Sequence, residues 1–450
     1  MYPRRHKRSR VGRLTLGLSG ILSIVCASSG VHAAGPAVAP LTLTMEDWAP
    51  PEAIATIYQP CERKLNMTIK FAFVPRTGYE TKLQTQFAGG TAPDIYDAPP
   101  EDIESYGSKG QVLDQLPYLK ALGLPYSKVV PQAQFWAGGK VGSKLYAQAQ
   151  GAQSMYIYYN KAVFAQAGVP APPSTAAQAW TWPQFVAVAK KLTVDRQGRH
   201  PDDHGFDARH IQRYGVSFPL WYATLLPLVQ SNGGSDFDAS GKHFTLNQPA
   251  AAQVIQAVAD LARVDHVMPT PSELTSGAGS LTLASGRLGM SIDGNWSVYA
   301  YTHPTQTFPF GIGVLPRFQH YRSFYFAGSG FLVWSKTAHP KEAVRFDDCM
   351  TYQGLDNYKS GLWVPSSTNL LYGAGATTWI TTPYHPANYR SVAIDTINDA
   401  LTPPFNYVPQ FGPVWTNLLT PAIDRIVAGE PAATVLTGLK PQIDALLAQS

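Results

Sequence analysis

Between Leu41 and Asp97 the apolar spacing of the chain changes period four times. Leu41 to Thr44 reads as a short strand that runs into Met45-Glu46-Asp47-Trp48. From Glu52 to Lys64 the spacing turns helical, with Ile54, Ile57, Tyr58, Cys61 and then Leu65 on one face. Pro60 lies inside that pattern and should kink it. Thr68 to Val74 is a second strand. Tyr79, Leu83 and Phe87, four apart, mark a second amphipathic helix that Gly89-Gly90 stops. Pro93 to Asp97 is a third strand. Strand and helix alternating in this order imply parallel pairing, hence a doubly wound α/β sheet.

A second constraint lies in Ser280 to Ser297. Leu288, Met290 and Ile292 alternate with Gly289 and Ser291, the pattern of a strand with one apolar face. Asp293-Gly294 breaks it, and Asn295-Trp296-Ser297 follows at its carboxyl end. Ligands of open α/β sheets bind outside the carboxyl ends of strands. Trp296 is therefore placed to stack on a ligand, although an arbitrary tryptophan is more often core. Between these regions, Gly142 to Asn160 reads as an aromatic strand-like crossing, and Trp182-Pro183 opens a helix running to Leu192. Asp195 to His210 is a polar turn region. Leu220 to Val229 and Ala250 to Val264 are helical. Phe310 to Leu315 and Ser329 to Trp334 alternate as strands; Lys341 to Met350, Pro413 to Val427 and Thr434 to Leu447 are helices.

The chain has 450 residues, enough for two or three compact domains. Its formal charge of +5 is uneven: Arg4, Arg5, Lys7, Arg8, Arg10 and Arg13 all precede Ala33, where there is no acid. Taking those six from 35 basic residues leaves 29 against 30 acidic ones. A basic nucleic-acid surface is unsupported. The basic start, the apolar Leu14 to Ala27 and the small-residue Val31-His32-Ala33 read as a secretory signal peptide over residues 1–33. The apolar run is too short and broken to span a membrane. Arg4-Arg5 fits a twin-arginine signal poorly, and Val25 before Cys26 is a poor match to a lipid-anchor site. Cys61 and Cys349 then remain in an oxidising compartment. A single disulfide and two buried thiols are both open, since spacing does not say whether their Cα atoms approach.

Four blocks, in order, resemble one family. They are Phe87 to Ile95; Tyr158 to Lys161 with Ala167-Gly-Val169, Pro172-Pro173 and Thr181-Trp182; Ser231 to Gly234 with Asn247-Gln-Pro249; and Gly286 to Trp296 continuing through Phe310 to Pro316. The chain resembles the extracellular solute-binding proteins of bacterial ABC sugar importers, family 1, maltose-binding-protein-like. The resemblance implies a two-lobe periplasmic-binding-protein type II fold, hinged by crossing strands. Residues 36–150 and 326–362 would form the N-terminal lobe, and 151–325 and 363–450 the C-terminal lobe. It further implies a monomeric protein, peripheral to the membrane in the periplasm or outside the cell. That protein would capture a sugar or polyol and deliver it to a membrane permease.

A sugar offers flat C–H faces and a rim of hydroxyls, so its site needs rings and fixed polar groups. Matched to the family, Trp296 and Trp415 fall on sugar-stacking positions. Glu101 and Asp102 fall on the polar loop after the third strand, and Gln153 on a contact at the crossing. Among Glu46, Asp47 and Trp48, one or two would touch solute, while Asn295 and Asp293 flank the glycine turn. Tyr222, with Trp221, lies near a further contact region. The Pro99 to Asp102 loop lacks the basic residue of maltose-binding protein, and Leu419 replaces another, so the identity of the sugar does not transfer.

Other chemistries have less behind them. His200-Pro-Asp-Asp-His204 with Asp207 and His210 has the composition of a metal cluster, but its Gly and Arg residues read as an exposed hairpin. Tyr158 and Tyr159 are adjacent on a strand and point to opposite faces, so they do not share one iron. Nucleophile-elbow, zincin and P-loop motifs are absent. No cofactor is expected. A secreted carbohydrate-active enzyme and a periplasmic sensor component using the same cleft are the alternatives.

Overall fold

The computed structural model describes residues 40–98, 100–124, 144–148, 151–276, 280–303, 305, 308–324, 326–328, 330–353, 355–401 and 408–449. The expected signal segment and Cys26 lie outside them. In the first sheet the strands run in the order Gly330–Val333, Ile95–Ala98, Leu41–Asp47 and Met67–Phe73. The three early strands are parallel, and Gly330–Val333 returns antiparallel beside Ile95–Ala98. The Leu41–Asp47 strand extends three residues past the apolar run, because Met45, Glu46 and Asp47 still pair with Phe71, Ala72 and Phe73. Ile95–Ala98 is buried along its whole length, as a central strand covered on both faces must be. The Pro51–Leu65 helix continues through Pro60. Tyr79, Leu83 and Phe87 are the buried side chains of the Tyr79–Gly89 helix, and Gly90 ends it in the left-handed region.

The second sheet is ordered Val194–Asp195, Ile211–Ser217, Leu288–Gly294, Met155–Asn160, Phe310–Gly313. Ile211–Ser217 and Leu288–Gly294 are parallel; Met155–Asn160 runs against both of its neighbours. Leu288, Met290 and Ile292 are buried, as their alternation predicts. The polar turn region closes an antiparallel pair, Val194–Asp195 with Ile211–Ser217. The helix expected over Pro413 to Val427 is in three pieces: Phe411–Val414, a π-helical turn at Trp415–Leu419, and Thr420–Ala428. Between 367 and 394, where sequence periodicity is silent, short helices form at Thr368–Leu371, Gly373–Ala376 and Tyr389–Ala393 around the fully buried Trp379. Among the described residues, no helix is long and apolar enough to cross a membrane.

Three segments run side by side where the chain passes between the sheets. Gly151–Gln153 pairs antiparallel with Phe326–Gly328, and Ala152 also bridges Val364. Asn295, fully buried, ties this junction to the second sheet. Its side-chain oxygen accepts from the Ser154 N–H at 3.2 Å, and its amide donates to the Leu362 carbonyl at 3.1 Å.

Cys61 and Cys349 form a disulfide with Cα atoms 5.9 Å apart across a separation of 288 residues. It joins the Pro51–Leu65 helix to the Pro340–Gln353 helix packed against it. Closing so long a loop restricts the unfolded chain strongly. The Cys61→Ser/Cys349→Ser double variant is expected to lose about 3–5 kcal/mol of stability in denaturant unfolding, compared with the oxidised wild type. Asn295→Ala leaves one buried donor and one buried acceptor without a partner. We expect it to lose about 1–3 kcal/mol in the same measurement; a loss within error would remove Asn295 from the junction.

Candidate functional site

A cavity of about 410 Å³ lies where the carboxyl ends of the parallel strands meet the crossing segments. Trp48, Arg76 and Asp97, with Glu101 beyond, come from the ends of the first-sheet strands. Trp221, Tyr222 and Trp296 come from the ends of Ile211–Ser217 and Leu288–Gly294, and Tyr299 lies one turn further on. Gln153, Leu362 and Trp363 are supplied by the crossings. Among the described residues, four indoles and two phenols thus surround very few charged groups, one guanidinium and two carboxylates.

The local sequence explains how the rings are aimed. At the end of the first strand, the Asp47 carboxylate accepts from the Ala49 N–H at 2.6 Å, and its carbonyl accepts from Val74 N–H. This turn leaves Trp48 half-buried, edge-on to Tyr79 at 5.0 Å, with the Arg76 guanidinium 4.9 Å from its ring centre. At the end of the Leu288–Gly294 strand, Asp293 accepts from the Gly294 N–H and the Ser297 hydroxyl. The Tyr158 hydroxyl donates to the Gly294 carbonyl at 2.8 Å. A Cβ on residue 294 would stand 2.1 Å from the Trp296 ring, so only glycine lets that indole fold back over the turn. Trp296 then meets Trp221 edge-on at 6.2 Å.

Glu101 occupies the first turn of the Pro100–Ser108 helix, where the helix dipole favours an acid. Tyr222, at the start of the Tyr222–Ser231 helix, donates its hydroxyl to Glu101 Oε2 at 2.6 Å. Burial, and then the neighbouring charge of Asp102, push the Glu101 carboxyl up to about 7, against the opposing effects of Tyr222 and Arg76. Burial also lifts Asp47 to about 7.

The cavity therefore brings together Trp296, Trp48, Glu101, Gln153 and Tyr222 from the residues singled out in the sequence. The others lie behind its lining. Trp415 is buried against Tyr222 and Phe411, its centroid 5.9 Å from each, and faces the buried Asp236. Asp102 receives the Tyr106 hydroxyl at 3.4 Å. Asp47 holds the turn beneath Trp48, and Asn295 is occupied at the crossings. Arg76 and Trp363 were not anticipated. Arg76 follows a parallel strand, and the carboxyl-end rule applied to Thr68–Val74 would have found it. Trp363 sits in an irregular crossing that has no sequence signature. In the Asp195–His210 region, the buried Asp195 binds the backbone N–H groups of Gln197, Arg199 and Asp207. Among the described residues no cluster of metal-ligating side chains forms.

The model of the bacterial extracellular solute-binding protein family matches residues 49–352. An ABC substrate-binding protein from Listeria monocytogenes, solved in complex with cycloalternan, is similar with a TM-score of 0.78 at 21% identity, over 91% of this chain and 99% of that one. UgpB from Mycobacterium tuberculosis, solved with glycerophosphocholine, has a TM-score of 0.72 at 15% identity, over 91% and 98%. An uncharacterized lipoprotein in the oleD 5' region of Streptomyces antibioticus is 26% identical over 293 residues, 62% of this chain and 58% of its own length. A probable ABC transporter-binding protein of Deinococcus radiodurans is 27% identical over 209 residues, 44% of each. The chain spans about half the length of the curated relatives it matches. The structural matches establish the two-lobe α/β fold. With a family match covering more than half of its residues, the chain belongs to the bacterial extracellular solute-binding protein family.

Proposed function

We propose that this protein captures a sugar, oligosaccharide or polyol between its lobes and hands it chemically unchanged to the membrane permease of an ABC importer. The observation that carries this reading is the cavity wall of four indoles with few charges. Flat apolar rings match the C–H faces of a pyranose, while Gln153, Asp97 and Glu101 offer polar atoms to its rim. Similar structures hold cycloalternan, and acarbose in a receptor of Streptomyces glaucescens. The glycerophosphocholine bound by UgpB marks a second ligand class for the fold. Among the described residues a single arginine lines the cavity, stacked on Trp48 and ion-paired with Glu80, which favours the uncharged guest here.

As the resemblance to the family implies, one lobe comprises residues 36–150 with 326–362 and the other residues 151–325 with 363–450; the pairing of Gly151–Gln153 with Phe326–Gly328 supports this division. The protein acts as a monomer outside the cytoplasmic membrane, after removal of residues 1–33. A lipid anchor at Cys26 is the alternative attachment, and it is the lipoprotein relative that keeps it in view. No bond of the solute is broken. A carbohydrate-active enzyme would release product from an oligosaccharide, which chromatography of the incubated mixture detects, whereas a receptor returns the sugar intact.

A thermal-shift screen of the mature chain against sugars and polyols, followed by calorimetry on the best ligand, tests the assignment, because bound solute raises the melting temperature by mass action. In that titration Trp296→Ala is expected to weaken binding by about 1–3 kcal/mol, the scale of one lost ring contact. Trp415→Phe keeps a ring against Tyr222 and should weaken it less. Wild-type affinity in Trp296→Ala would remove that indole from the site.

A further inference from the structure

Glu101 and Tyr222 face each other from opposite sides of the cavity. Glu101 belongs to the helix that follows the first-sheet strand Ile95–Ala98, and Tyr222 to the helix that follows the second-sheet strand Ile211–Ser217. Their hydrogen bond, 2.6 Å long, therefore joins the two halves directly. A second contact lies beside it. The Phe411–Val414 turn, whose Phe411 packs edge-on against Tyr222 at 5.2 Å, rests on the Pro100–Ser108 helix. There a Cβ on Gly412 would stand 2.6 Å from Asp102 Oδ1 and 3.1 Å from the Glu101 carbonyl oxygen. The approach is close enough that any side chain at 412 would wedge the halves apart.

We propose that Glu101, Tyr222 and Gly412 form a proton-sensitive clasp that sets how readily the two halves close. The proposal rests on the receptor reading for its purpose, though not for its test. Separating the halves returns Glu101 to water. In the closed form burial, helped by the Asp102 charge, holds its carboxyl up at about 7, against an ordinary value of 4.5. The closed form thus keeps a proton that the open form releases. The favourable contribution to closure is complete below about 4.5 and is lost as pH rises through about 7. The groups facing Glu101 are Asp102 on its own helix, with Tyr106 and Lys109 near that carboxylate, Arg76 from the segment after Met67–Phe73, and Tyr222 from across the cavity. The Phe411–Val414 turn brings no titratable side chain, and Asp236 lies behind Trp415.

The test uses the mature chain without solute. Small-angle scattering and tryptophan emission are recorded at about pH 8 and about pH 5.5, with circular dichroism confirming the fold. For the wild type the closed-to-open ratio is expected to rise about tenfold or more on acidification. Glu101→Gln, which mimics the protonated acid and still accepts from Tyr222, should be compact at both values. Tyr222→Phe, lacking only the donor, should be more open at the lower pH than the wild type. Gly412→Val should stay open throughout. A folded wild type with the same radius of gyration at both pH values overturns the clasp. So does a pH response that persists in Glu101→Gln, which would assign it to Asp47 or Asp236. Both readouts are independent of the sugar screen, so failure of the ligand assignment and failure of the clasp are separately visible.

Discussion

The whole cavity depends on the junction where three segments pass between the sheets. Gly151–Gln153, Phe326–Gly328 and the strand-like stretch at Val364 satisfy one another's backbone groups in a region too small for a sheet of its own. Asn295 completes it with two hydrogen bonds to backbone from a fully buried amide. Buried backbone groups must be paired, so this junction is fixed while the masses on either side are large. It also supplies the Gln153, Leu362 and Trp363 side chains to the cavity. A small rotation about so narrow a junction would move Trp48 and Glu101 against Trp296 and Tyr222 and leave both sheets intact, the geometry of a hinge.

Both walls use the same device, a turn at the carboxyl end of a strand, stabilised by the aspartate that closes it. Asp47 caps the turn that presents Trp48, and Asp293 caps the one that presents Trp296. Short carboxylates bind backbone N–H groups locally and so fix a turn without long-range support. The rings beyond them are held by other rings: Trp48 by Tyr79, Trp296 by Trp221, Tyr222 by Phe411 and Trp415. Aromatic edge-on contacts add directional preference to burial, so the apolar wall is pre-organised before any solute arrives.

This division explains what could be read from the chain beforehand. The parallel core of the first sheet and the Leu288–Gly294 strand follow from period and glycine placement, because local spacing and global burial agree there. The place of Trp296 at the end of that strand follows from the same local pattern, the Asp293-Gly294 turn that carries it. Trp415 was not legible. Its place behind Tyr222 depends on the π-helical turn at Trp415–Leu419 and on packing between segments nearly two hundred residues apart. Trp363 sits beside the isolated Ala152–Val364 bridge, which carries no periodicity, while Arg76 lies in the loop after a strand whose end the sequence does mark. The Cys61–Cys349 pairing depends on two helices meeting in space, and spacing along the chain says nothing of that.

A receptor of this kind works only if the free energies of its open and closed forms are close, since solute can shift the balance by no more than its differential contacts. Contacts between the halves that involve no solute favour closure indiscriminately. The Tyr222–Glu101 hydrogen bond is one such contact, and the close approach of Gly412 to the Pro100–Ser108 helix is another. Burying the Glu101 carboxyl opposes them, because a charge removed from water beside Asp102 is unfavourable. The Arg76 charge recovers only part of that loss. Desolvation at Glu101 thus opposes the attraction that its hydrogen bond to Tyr222 provides. On the proposed reading, the charge at Glu101 keeps closure dependent on what occupies the aromatic cavity.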